Sequence, residues 1–236
     1  TVATMKSPNL ITTFGTKSDL YINDVDSAMK FMNTSDKESL TNELNNLSDK
    51  ITTEGMPCNV SVDIQYKYKV IASGNEFAVS CAQSVNIPVN KYDYLEGSAP
   101  QNKNEIAVTP QVSEMLNAEI GDTVTIDFGT EKTDCIVTAY FQTMNNLGEL
   151  IRLHDDAPTD MSCVSAIRQF QVDFTDNPSE KEIESRKERI KELIDVKDVM
   201  NATEYCVDCV SVVPTMEAVQ FLLLAITIIV VILVTV

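Results

Sequence analysis

The chain has 236 residues, with 35 acidic against 18 basic side chains and a formal net charge of -17. That balance excludes a nucleic-acid binder, which needs a basic footprint, and it excludes docking on an anionic membrane surface. The length allows one large domain or two small ones, and the acids are scattered as on a solvated surface rather than gathered as in a site.

In chain order, "TVATMKSPNLITTFG" (1–15) has neither periodicity nor a start signal, and is read as a membrane-proximal leading segment of something longer. "SDLYINDV" (18–25) carries a short strand. In "SDKESLTNELNNLSDKI", Ser35 and Glu38 have the spacing of a capping box, and Leu40, Leu44, Leu47 and Ile51 fall on one helical face. Gly55 ends that helix and Pro57 keeps it from resuming. "VSVDIQYKYKV" alternates apolar and polar residues from Val60 to Val70, which predicts a long strand with one wet face. A Ser73-Gly74-Asn75 turn leads to a second strand, "EFAVSCA".

The segment from about 75 to 160 is strand-rich with one short helix. Thr109 is placed to cap that helix, Pro110 to open it, and Val112, Met115 and Leu116 to face inward. After the Gly121-Asp122 turn, Val124, Ile126 and Phe128 form the inner face of a strand. Its hairpin partner across "GTEK" is "TDCIVTAYF", with Cys135, Val137, Ala139 and Phe141 in phase. Then the first pattern returns. "IRQFQVDF" is a strand with Phe170, Val172 and Phe174 on one face. A helix follows, with Asn177 as cap, Pro178 first, Glu180 closing the box, and Ile183, Ile190, Leu193 and Ile194 as its stripe. "VKDVMNATEYCVDCVSVV" supplies a final strand. The expected fold class is α+β: two strand–helix–strand halves forming one subdomain of the split βαβ kind, with an inserted strand-rich subdomain.

From Ala218 to Val236 no side chain is charged. As a helix this run reaches roughly 28 Å, the thickness of a bilayer's hydrocarbon core, and it is read as the start of a transmembrane helix from residue 214. A buried core helix and a cleaved anchor tail are the alternatives. The six cysteines sit at 58, 81, 135, 163, 206 and 209, four of them in apolar strand patterns, where a thiol acts as a small hydrophobe. No disulfide is expected to be required for folding. Cys206 and Cys209 are read as structural, with a disulfide or a metal half-site as alternatives. His154, Asp155, Asp156 and Asp160 share one loop, read as solvated, with metal ligation as its alternative. There is no phosphate loop and no nucleophile elbow, so no catalytic, cofactor-binding or metal residue is assigned and the expected cofactors are none.

The stretch "YLEGSAPQNKNEIAVTPQVSEMLNAEIGDTVTI" resembles the extracytoplasmic domain of FtsX-like and MacB-like ABC transporter permeases. The resemblance lies in Glu96, Gly97 and Pro100, then Asn104, Glu105 and Ile106, then Ile120, Gly121, Asp122, Thr123 and Val124, within residues 92–141. Ser98 stands where many members have arginine. The resemblance implies a porter-like subdomain (16–74 and 162–213), an inserted sabre-like subdomain (75–161) and a transmembrane helix from 214 to 236. It further implies a non-catalytic domain on the extracytoplasmic face of the bacterial cell (inner) membrane, coupling cytoplasmic ATP hydrolysis to export or mechanical action. The partners implied are a cytoplasmic ATP-binding subunit, a second permease copy or paralogue, an exported substrate or extracytoplasmic protein, and the lipid bilayer, with no nucleic acid. The alternative is a ligand-binding sensor ectodomain of a membrane receptor.

Overall fold

The computed structural model describes residues 18–24, 36–87, 93–143 and 148–205. Its elements are β1 (Leu20–Ile22), α1 (Lys37–Thr53), β2 (Cys58–Ala72), β3 (Asn75–Val85), β4 (Tyr94–Gly97), β5 (Glu105–Val108), α2 (Pro110–Leu116), β6 (Thr123–Asp127), β7 (Lys132–Phe141), β8 (Leu150–Leu153), β9 (Val164–Ile167), β10 (Phe170–Phe174), α3 (Glu180–Ile194) and β11 (Val199–Asn201). A 3-10 turn, Met161–Cys163, precedes β9.

β2 organises the molecule. Its 15 residues reach roughly 50 Å, and every apolar residue from Val60 to Val70 on the predicted inward face is buried. One edge pairs with β3 over Val62–Ala72. The other edge is shared in succession by β10 (at Cys58–Ser61), β9 (at Ile64–Tyr66) and β6 (at Lys69–Ile71). The expected wet face is wet only at Lys67 and Lys69; Ser61, Asp63 and Gln65 are buried beneath neighbouring elements.

At its lower end β2 closes a sheet of order β11-β1-β10-β2, antiparallel throughout. Counted among these four strands alone, that order is 4-1-3-2, the arrangement of a split βαβ. α1 and α3 cover it together: Lys50 Nζ donates to the Leu193 carbonyl at 2.9 Å, and Arg189 donates to the Glu54 carbonyl at 2.7 Å. At its upper end β2 belongs to a ring, β2-β3-β8-β5-β7-β6, which returns to β2. This six-strand, barrel-like closure removes sheet edges, and two of its pairings, β3 with β8 and β5 with β7, are parallel. Tyr66, Tyr68 and Phe128 fill its interior, the Tyr68 and Phe128 rings meeting edge-on at 5.1 Å. Sheet membership thus changes between Ser61 and Val62, inside β2.

Two helix starts differ from expectation. α1 is capped by Asp36, whose carboxylate accepts the Ser39 N–H at 2.6 Å; Ser35 lies outside the described residues. α3 is capped by Ser179 with Glu182 in a reciprocal box, while Asn177 takes a left-handed φ of 50°. Asn177 therefore cannot be the cap, which requires extended backbone. Asp176, bound through both oxygens to Arg186 at 2.7 and 2.6 Å, holds the preceding turn against the helix. The caps of α2 fall as predicted on Thr109 and Pro110.

Among the described residues the last strand is shorter than expected, and 206–213 of the expected segment lie outside them. β11 stops at Asn201 and residues 202–205 are helical. In β7, Cys135 and Val137 line the barrel interior as expected, but Ala139 and Phe141 belong to a second cluster with Ala82, Ala107 and Leu150. The cause is one extra residue, Thr138, between the Ile106–Val137 and Ala107–Ala139 pairs, which reverses the facing of everything after it. Among the described residues no helix is long and apolar enough to cross a membrane; the 218–236 run lies outside them.

Candidate functional site

The loop His154–Asp160 is built as a clamp. Gln83, fully buried on β3, donates its amide to the carbonyls of His154 (3.0 Å), Asp155 (3.0 Å) and Ala157 (3.1 Å) and accepts from the Thr159 hydroxyl at 2.6 Å. The Tyr68 hydroxyl accepts the Asp160 N–H at 3.0 Å, and the Asp160 carboxylate caps the 3-10 turn at Ser162. His154 Nδ1 accepts the Asp156 N–H at 3.1 Å. Among the described residues no three His, Cys, Asp or Glu groups are arranged to hold a metal. Gln83 was not singled out by its sequence pattern, because its strand also carries Asn75, Glu76, Ser80 and Ser84.

The resemblance motif also works through its backbone. Gly97 has φ +82°, and a Cβ there would meet the Thr138 carbonyl oxygen at 2.1 Å, so β4 can approach the β7 bulge only as glycine. Glu105 accepts the Gln101 N–H at 2.7 Å and the Asn102 amide at 2.8 Å, and these bonds, the backbone one first, hold its carboxyl below the usual range. Gly121 N donates to Val137 O at 2.8 Å, and the Asp122 carboxylate accepts the Glu119 N–H at 2.8 Å. Cys58, Cys81 and Cys135 are buried and Cys163 half-buried, all free thiols; burial pushes Cys135 up to about 12. Cys206 and Cys209 lie outside the described residues.

A buried polar group ties the barrel wall together. Arg152 on β8 meets Asp63 on β2 with bonds of 2.9 and 3.3 Å, and the Ser84 hydroxyl donates to Asp63 at 2.8 Å. The Phe141 ring centroid lies 6.0 Å from the Arg152 guanidinium carbon, and burial raises the nearby Tyr94 hydroxyl to about 12. The Arg152 and Asp63 side chains, only 3% and 6% exposed, serve each other and present no open chemistry to a substrate.

The remaining convergence is where the chain arrives and leaves. β1 and β11 are neighbours, with Leu20 opposite Asn201. Tyr205 stacks on Tyr21 with ring centroids 3.9 Å apart and planes 12° from parallel. Ser18 is tied in as well, its N–H to the Tyr21 hydroxyl at 2.9 Å and its hydroxyl to Gln171 at 2.9 Å. Residues 18 and 205 therefore leave one corner of the four-stranded sheet side by side.

No protein-family model matches the chain. No curated protein matches it either. The chain is similar in structure to the periplasmic region of MacB from Actinobacillus actinomycetemcomitans, at a TM-score of 0.48 and 10% identity over 89% of this chain and 96% of that one. It is also similar to the extracellular domain of the noncanonic ABC-type transporter YknZ from Gram-positive bacteria, at a TM-score of 0.44 and 12% identity over 78% of this chain and 99% of that one.

Proposed function

We propose that residues 18–205 form the extracytoplasmic domain of an ABC transporter permease, coupling ATP hydrolysis by a cytoplasmic partner to export or mechanical action at the outer face of the membrane. The observation that carries this is the pairing of β1 with β11, which brings the arriving and departing segments to one corner. A domain inserted between two membrane segments needs that geometry, and short rigid junctions pass displacement on where long flexible linkers absorb it. Within the domain, the four-stranded sheet with α1 and α3 is the membrane-proximal, porter-like part. The barrel, residues 62–167, is the distal, sabre-like part, joined to it by the unbroken β2 and by the β9–β10 segment.

The test is made on the full-length protein in intact cells. With Asn46→Cys, on the exposed face of α1, a membrane-impermeant maleimide should label from outside. Purification should bring a cytoplasmic ATP-binding subunit whose hydrolysis is altered when Ile22→Cys and Val199→Cys, a register pair, are oxidised together. Labelling only after lysis, or purification with no ATPase, would overturn the reading.

A further inference from the structure

Asn201 ends β11 and opens the helical turn at 202–205. Its side-chain oxygen accepts the Glu204 N–H at 2.9 Å, and the Glu204 carboxylate accepts the Asn201 N–H at 2.9 Å, a reciprocal cap. The same carboxylate accepts the Lys187 ammonium at 2.7 Å. Lys187 lies on the buried face of α3 with its side chain 3% exposed, and it also bonds Glu184 at 2.6 Å. Asn201 donates its amide to Glu184 at 3.0 Å. One residue further on, Tyr205 lies flat on Tyr21 of β1. A single turn is thus held by α3 through charge and by β1 through an aromatic face.

We propose that residues 201–205 are a releasable latch: Glu204 on Lys187 and Tyr205 on Tyr21 clamp the departing chain to the arriving one, and their opening frees it to move alone. The latch is strong because its ammonium is desolvated and its bonds are charge-assisted. It is releasable because the Glu204 side chain is 45% exposed, so water can take its place. Lys187 keeps Glu184 when Glu204 leaves, so opening strands no buried charge. The strand beneath is three residues long and cannot hold the corner alone. The latch deepens the permease reading and rests on it for its purpose, though not for its existence.

Hydrogen exchange on the full chain in its membrane tests it. Glu204→Gln keeps the cap, since glutamine serves at that position, but removes the carboxylate that meets Lys187. Exchange at Asn201–Tyr205 and Leu20–Ile22 should then rise about tenfold, with the β2–β3 ladder unchanged. Lys187→Met and Tyr205→Ala should do the same, and Lys187→Met combined with Glu204→Gln should add little to either alone. Unchanged exchange in Glu204→Gln, or equal acceleration throughout the domain, would overturn the latch. Release of the corner while ATP hydrolysis by the partner stays as before would leave the latch standing and count against the permease reading instead.

Discussion

Arg152 and Asp63 meet across the barrel wall in a two-bond ion pair, brought together over 89 residues of sequence, with the Ser84 hydroxyl on the same carboxylate. Removing one partner leaves the other charged in a dry site. Arg152→Ala should therefore cost about 3–5 kcal/mol of unfolding free energy, read by urea denaturation. Arg152→Met with Asp63→Leu should recover most of that loss. A double variant as unstable as the single would mean the cost lies in packing rather than in stranded charge.

Gln83→Ala should open the 154–159 loop, because three carbonyls lose one shared donor. The expected penalty is about 1–3 kcal/mol, with faster proteolysis inside the loop than elsewhere. Gln83→Glu should be worse at neutral pH than at pH 4, since a carboxylate facing three carbonyls must first take up a proton.

Gly97 and Gly121 both have positive φ, at +82° and +101°, yet only Gly97 is crowded. Gly121→Ala should cost roughly 1 kcal/mol from backbone strain alone. Gly97→Ala should cost at least twice as much and detach β4 from β7, seen as lost amide protection at Ser98, which bonds Thr138 O at 3.0 Å. Equal effects would dissociate the motif glycine from its close approach.

Burial raises the Asp155 carboxyl above its ordinary value of 3.8, against the opposing pull of Lys37, His154 and Arg152. The folded state therefore binds this proton more tightly than the unfolded chain. Stability from this group grows as pH falls through the raised folded value and stops growing below the ordinary one. Asp155→Asn should flatten the stability profile in that window and leave the protein at least as stable at pH 7. A steeper profile in the variant would refute the assignment.

Excising 75–161 would leave Val62–Ala72, the upper stretch of β2, without β3 and β6, and should give aggregation rather than a folded remainder. Replacing 63–169 by Asn-Gly joins Val62 to Phe170, the next positions in the β2–β10 register after Ser61 and Gln171. That variant should fold, with circular dichroism showing retained helix and a cooperative thermal transition. If the first deletion folds and the second does not, the division within β2 is misplaced.

What this sequence determined alone was what neighbouring residues can settle. The alternation from Val60 to Val70, the stripe of α1, the cap of α2 and the β6–β7 hairpin depend on spacing over a dozen residues or fewer, and all were legible there. The turns of the 92–141 motif were legible for the same reason, since Glu105 binds groups three and four residues back. The placement of the α3 cap was not, because Asn177 and Ser179 both offer a side-chain acceptor and the Asp176–Arg186 pair, ten residues apart, decided between them. Tertiary structure alone decided the ring of six strands, whose parallel pairings join segments with no local complementarity. It also decided which face of β7 follows Thr138, since a bulge exists only relative to a partner strand. Lys187 marks the limit. It stands four residues after Ile183 and three before Ile190, a visible interruption of an apolar stripe, but a buried lysine is stable only beside its counter-charges. One of them, Glu184, is local; the other, Glu204, arrives only when β11 pairs with β1 and turns the chain back along α3.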